Sequence, residues 1–187
     1  MTSLKLEIAQ EPPFSSVEEE ALLNVMRTSD CLHRAFHLKT RKWGVTSTQY
    51  NVLRILRGAQ PQGLTCSAIG DRMITAEPDI TRLLARLKTL KLIRQQRDKH
   101  DRRVVWTHIS EAGLVLLREM DPVILEAPRE LLGHLKDHEL AELIRLLELA
   151  RKPSGGPQIP VSCDGTHNAD GAGCASADGV TTVGGAV

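Results

Sequence analysis

Aromatic side chains are scarce in this sequence. Phe14, Phe36, Trp43, Tyr50 and Trp106 are the whole complement, 3% of 187 residues. A platform that stacks single-stranded bases needs several exposed rings, so this poverty argues against that class of RNA or DNA binder. Long apolar runs are missing too: no stretch approaches the roughly 18 residues a membrane-spanning helix requires. The first fourteen residues carry Glu7, Glu11 and the pair Pro12-Pro13 where a signal peptide is continuously apolar. The chain is therefore expected to be cytoplasmic. Cysteine is sparse, at positions 31, 66, 163 and 174, too few and too scattered for a disulfide framework. Also missing are a phosphate-binding P-loop, a Gly-x-Ser-x-Gly elbow, a dinucleotide fingerprint and a convincing Cys-His-Asp set, so no enzyme is expected. Charge of one sign does not dominate. Lys and Arg number 24, Asp and Glu 23, a formal charge of +1. That balance excludes a histone-like tail protein or a bulk acidic scaffold.

What is present is enough apolar residue, 41%, for a core, in a length that suits one domain with arms. Composition breaks at Pro153. The 35 residues from there to Val187 hold no Lys or Arg, three acids and eight of the 14 glycines. Such a segment buries too little apolar surface to offset its ordering entropy, and is read as a disordered Gly-rich tail. Within it, Cys163 and Cys174 flank Asp164, His167 and Asp170. A metal loop or redox pair is one reading. Two incidental thiols is the other, because zinc ligands are usually closely paired.

The remaining chain divides into an N-terminal arm (residues 1–15) and a domain spanning 16–152. Val17 to about Lys42 reads as a helix on the spacing of Leu22, Val25, Leu32 and Phe36. Ser15 or Ser16 precedes three glutamates, a capped start, and Trp43-Gly44 is a stop. Thr46-Ser47-Thr48-Gln49 is a capping-box pattern ahead of an apolar helix. Gly58 to Gly63 is a turn. Thr65 opens a short helix through Met73 around Ile69, and Ile74 to Glu77 is a break. Pro78 suits the first position of the next helix, whose stripe is Ile80, Leu83, Leu84, Leu87 and Leu90. The period then changes: Leu92 to Arg97, a polar turn over Asp98 to Arg103, and Val104 to Ile109 read as a β-hairpin. A helical region from Ser110 to about Leu135 follows, with Pro122 and Pro128 as kinks or breaks. Asp137 to Arg151 is the last helix.

The fold class is therefore mostly α with a small β-hairpin wing: a winged helix-turn-helix with long N- and C-terminal dimerisation helices. The DNA-binding lobe spans about 46–110, and the dimerisation helices 16–43 and 111–151. Those helices are too apolar for one small domain to cover. Leu22, Leu140, Leu143, Leu146 and Leu147 are the interface candidates.

Local charge points to the partner. From Arg82 to Arg103 there are nine bases and two acids, an excess of seven in 22 residues. A solvated face is the plain reading of such a run. Coincidence with a helix-turn-helix and a wing favours double-stranded DNA, which carries one negative charge per roughly 1.7 Å. The first turns of a recognition helix reach base edges, so Thr75, Asp79, Thr81 and Arg82 are base-reading candidates and Arg86 a phosphate contact. Arg82 could pair with guanine and Asp79 could accept from cytosine. The wing offers Arg97, Lys99, Asp101, Arg102 and Arg103. Asp101 either pairs with a wing arginine and aims it, or is a simple turn residue.

TSTQYNVLRIL, LTCSAIGDRM, DITRLLARLKTLKLI and RDKHDRRVVWTHISEAGLVLL resemble the MarR family of bacterial regulators. The last is the most specific. It holds an Asp-x-Arg wing signature, Asp101-Arg102-Arg103, then a strand and a Ser-x-x-Gly helix start. The resemblance covers residues 16 to 151. It implies a homodimer on a pseudo-palindromic operator, and a repressor released by a small molecule, often phenolic, or by oxidation. The alternative is an effector-sensing helical dimer without specific DNA binding. The hydroperoxide-sensing branch has a reactive cysteine near the start of the first helix, partnered by tyrosines. Cys31 lies later, and Tyr50 is the sole tyrosine, so thiol sensing is not expected. Cys66 reads as a small, partly buried residue. The His33/His37 and His134/His138 pairs have metal-compatible spacing but no third ligand clearly placed beside them. No metal and no cofactor are expected.

Overall fold

The computed structural model of the chain describes residues 4–75 and 79–152. Pro78 and the Gly-rich segment from Pro153, with Cys163 and Cys174, lie outside the described residues. The elements are α1 (Leu4–Glu7), α2 (Val17–Thr40), α3 (Ser47–Gly58), α4 (Cys66–Gly70), α5 (Ile80–Thr89), β1 (Ile93–Arg97), β2 (Val105–Ile109), α6 (Glu111–Leu132) and α7 (Asp137–Arg151). The described chain forms two compact units. One comprises residues 4–51 and 115–152, the other residues 52–114 less the gap. None of the described helices is long and apolar enough to cross a membrane.

In the first unit, α2 starts where the Ser16 hydroxyl accepts the Glu19 N–H at 3.1 Å, with Glu18, Glu19 and Glu20 in the first turn. It leaves through a 3₁₀ turn, Arg41–Trp43, and stops at Gly44, whose φ of 72° is left-handed. The Thr46 side chain accepts the Gln49 N–H at 3.1 Å and Gln49 accepts the Thr46 N–H at 3.0 Å, a closed capping box for α3. Phe36 and Tyr50 meet with ring centroids 5.9 Å apart, tilted by 53°, and Lys39 pairs with Glu130 of α6. In the arm, α1 buries Leu4 and pairs Glu7 with Arg27 at 3.7 Å.

Helix α6 runs unbroken through both Pro122 and Pro128. Of the kinks or breaks the sequence suggests, breaks do not occur. Each proline removes a hydrogen bond and strains the preceding turn. Leu117, Met120, Ile124 and Ala127, at helical spacing on one face, are buried and hold the helix together. Full burial of each large apolar side chain is worth about 1.5–3 kcal/mol.

In the second unit, Val52, Leu53, Leu56, Ile69, Leu84, Leu87, Ile93 and Ile109 form the core. Helix α4 is shorter than the expected run to Met73. Its cap is Thr65, whose hydroxyl accepts the Ala68 N–H at 3.3 Å, and Asp71 to Met73 turn away from it. The strands pair antiparallel from Ile93 opposite Ile109 to Arg97 opposite Val105. Leu64 adds a one-residue bridge to the far side of β2, exchanging two backbone hydrogen bonds with Thr107 at 2.8 and 3.0 Å. Gly63 makes that approach possible. Its φ is 74°, and a Cβ there would lie 2.6 Å from the His108 ring.

Helix α5 ends in a Schellman motif: Leu92 N–H bonds the Leu87 carbonyl and Lys91 N–H the Lys88 carbonyl. Lys91 holds the left-handed position, φ 59°. Its carbonyl accepts the Ser110 hydroxyl at 2.7 Å, and the same hydroxyl caps α6 by accepting the Gly113 N–H at 3.1 Å. These bonds tie the end of α5, the hairpin and the start of α6 to one another.

Candidate nucleic-acid interface

The second unit carries the recognition helix and wing, and both present their bases outward. On α5, Leu84 and Leu87 face the core, while Thr81, Arg82, Ala85, Arg86 and Lys88 are exposed on the other side. Arg82, Ala85, Arg86, Thr89 and Leu90 line one shallow recess of about 460 Å³. Thr75 is exposed in the bend before the helix. Asp79, expected to accept from cytosine, also has a backbone partner. It is the N-cap of α5, and its Oδ1 accepts the Arg82 N–H at 2.9 Å. One carboxylate oxygen is thereby committed to starting the helix that carries Arg82.

The wing loop from Asp98 to Val104 is closed by backbone bonds, Asp98 N–H to the Val104 carbonyl at 2.9 Å and Val104 N–H to the Asp101 carbonyl at 3.0 Å. Arg97, Lys99, His100, Asp101, Arg102 and Arg103 are all exposed. Asp101 does not take a wing guanidinium. Its Oδ1 accepts the backbone N–H of Arg103 at 2.9 Å. The short reach of an aspartate favours the N–H two residues on, an Asx turn, over a long flexible arginine head.

The organiser of this loop is an acid to which the sequence pattern assigns no role. Asp98 Oδ1 accepts the N–H of His100 at 2.8 Å and of Asp101 at 3.1 Å. Its Oδ2 accepts the indole Nε1–H of Trp106 at 2.9 Å. These donors, Asp101 first, hold its carboxyl down to about 2. The signal was legible in part: Asp three residues ahead of a second Asp, in a hairpin turn, is an Asx-turn pattern. The Trp106 partner, eight residues away, required the strand register.

The dimerisation candidates lie in the first unit. Leu22, Leu143 and Leu146 are 59%, 36% and 49% exposed, and Leu140 and Leu147 half-buried. Val25, Met26, Ile144 and Leu149 are exposed with them. His33 Nε2 lies 3.5 Å from the Ser47 hydroxyl, and Cys31 is an exposed free thiol.

The MarR family model matches residues 43–104, from the end of the 3₁₀ turn through the wing loop. The HTH-type transcriptional regulator MhqR of Bacillus subtilis (strain 168) is 28% identical over 109 residues, 57% of this chain and 72% of that one. A crystal structure of a MarR transcription factor from Planctomyces limnophilus is 39% identical, covering 73% of this chain and 99% of that chain with a TM-score of 0.57. This chain belongs to the MarR family. Sco3205, a MarR family transcriptional regulator from Streptomyces coelicolor solved in complex with DNA, shares the fold at 19% identity. It covers 78% of this chain and 94% of that one, with a TM-score of 0.63. The MarR chain is thus a winged-helix transcription regulator, not an enzyme.

Proposed function

We propose that the protein is a homodimeric, sequence-specific binder of double-stranded DNA that represses transcription and is released by a small molecule or an oxidant. The observation that carries the reading is the shared exposure of the α5 bases and the wing bases in one unit whose helix ends are tied together. Thr75, Thr81 and Arg82 reach base edges. Arg86 contacts phosphate, and Asp79 sets the start of the helix beneath them. Arg97, Lys99, Arg102 and Arg103 engage the minor groove or backbone, with Asp101 fixing the turn. The exposed leucines of α2 and α7 supply the dimer, which places two such surfaces on the half-sites of a pseudo-palindromic operator. Sco3205, with the same fold, was solved on DNA, which supports the reading by analogy.

Fluorescence anisotropy tests it. Duplexes from the DNA flanking the protein's own gene, with scrambled controls, are titrated at two salt concentrations. Tight binding to one duplex and weaker binding to its scramble is expected. Equal, steeply salt-dependent binding to all would reduce the interaction to charge alone and refute sequence specificity for those sites.

A further inference from the structure

An acid inside a surface meant for phosphate is costly unless it has a task. Two sit in the wing, and only Asp101 belongs to the family signature. Asp98 is the more heavily bonded. Its two oxygens take two backbone N–H groups from the loop and one indole N–H from β2, all between 2.8 and 3.1 Å. The backbone donors belong to His100 and Asp101, the segment between Lys99 and Arg102. The indole donor stands at the strand end, where Trp106 pairs with Gln96. One carboxylate thus bolts the loop to the sheet from both sides.

We propose that Asp98 and Trp106 form a latch that sets the wing for DNA, making both positioning residues for the DNA contacts of Lys99, Arg102 and Arg103. This rests on the DNA-binding reading above. Neither residue needs to touch the duplex. A short polar loop with several long side chains samples many arrangements, and each frozen rotamer costs entropy on binding. Ordering the loop backbone beforehand removes part of that cost.

The sign of the effect separates the latch from simple electrostatics. Deleting a negative charge beside phosphates, with nothing else changed, tightens binding. Loss of the latch weakens it. The test compares wild type with Asp98→Ala, Trp106→Phe and the double variant, each checked by far-UV circular dichroism to be fully folded at the assay temperature. Affinity for the best duplex is measured across a salt series. Asp98→Ala is expected to weaken binding by about tenfold, within the range that one well-placed polar group supplies. The slope of log affinity against log salt should flatten by about 0.9 for each phosphate that the wing no longer neutralises. Trp106→Phe keeps the ring and loses the donor, so it should weaken binding less. The double variant should be no weaker than Asp98→Ala, because both changes break the same bond.

Unchanged or tighter binding by Asp98→Ala overturns the proposal, as do an unchanged salt slope or additive losses in the double variant. A wild type that binds no duplex defeats the DNA reading instead. Amide exchange at His100 and Asp101 then decides the latch alone: protection lost in Asp98→Ala supports an ordered wing, and protection retained overturns it.

Discussion

Lys91 is a costly residue in its place. A side chain at φ 59° meets its own carbonyl, at about 1–2 kcal/mol against a right-handed residue. Glycine avoids that clash and gives back part of the gain as chain entropy. Lys91→Gly is expected to stabilise the protein by about 0.5–1 kcal/mol in urea denaturation. A loss of stability would mean that the lysine side chain makes an interaction worth more than the strain. Asp98 carries the opposite kind of residue effect, one in which charge is favoured. Its carboxyl, ordinarily at 3.8, is held at about 2 by the Asp101, His100 and Trp106 donors, with His100 the nearby cationic group. The folded value lies below the unfolded one, so the contribution is complete above about pH 4 and is lost as pH falls through about 2. Trp106 emission, followed in a Trp43→Phe background, should change over that window. The same titration of Asp98→Asn should be flat there, and a matching transition in the variant would assign the change to another group.

At the scale of elements, the helices and hairpin were readable because their signals are local. The 3.6-residue stripe of α5, the capping box at Thr46 and the Ser16 start each occupy a few consecutive residues; both caps form as the pattern requires, and the stripe buries Leu84 and Leu87 but leaves Leu90 exposed. At three places a tertiary or backbone partner decides between outcomes that the local signal leaves open. Pro122 and Pro128 do not break α6 because a four-residue apolar stripe is buried along it. Asp79 caps its helix as well as standing among the base-reading candidates, and Asp101 bonds a backbone N–H, the turn-residue alternative rather than the guanidinium partner. Arg82 keeps its expected place, exposed on α5 with its backbone N–H capped by Asp79. Arg82→Ala is expected to cost about 1–3 kcal/mol of affinity and to relax preference at one base pair. Binding to a panel of single-base operator variants checks this. An equal loss across the panel would make Arg82 a phosphate contact.

For the whole molecule, the conspicuous property is apolar surface left bare in the first unit. Leucines at 36% to 59% exposure on α2 and α7 form more uncovered surface than a solitary soluble chain tends to carry. Leu146→Asp is expected to shift a dimer to monomer in sedimentation velocity. Operator affinity should fall with it, because each half-site then binds alone. A dimer that survives the substitution would put the interface on other residues. The sequence shows an apolar excess in these helices and the leucine spacing, but not which leucines stay bare. Exposure is a property of the folded unit, and the pattern of a buried stripe is the same whether its cover is intramolecular or a second copy.

The hairpin has one more consequence. Leu64 covers β2 only opposite Thr107, and the outer edge of β1 pairs with no other described strand. A bare strand edge invites another chain to extend the sheet, the first step of aggregation. The sequence of that edge is Ile93-Arg94-Gln95-Gln96-Arg97, with a cation near each end. Two such edges brought together would oppose like charges. The arginines are therefore expected to disfavour such edge pairing. Replacing Arg94 and Arg97 with threonine should raise light scattering in concentrated stocks at low salt, and clear solutions would assign the protection elsewhere.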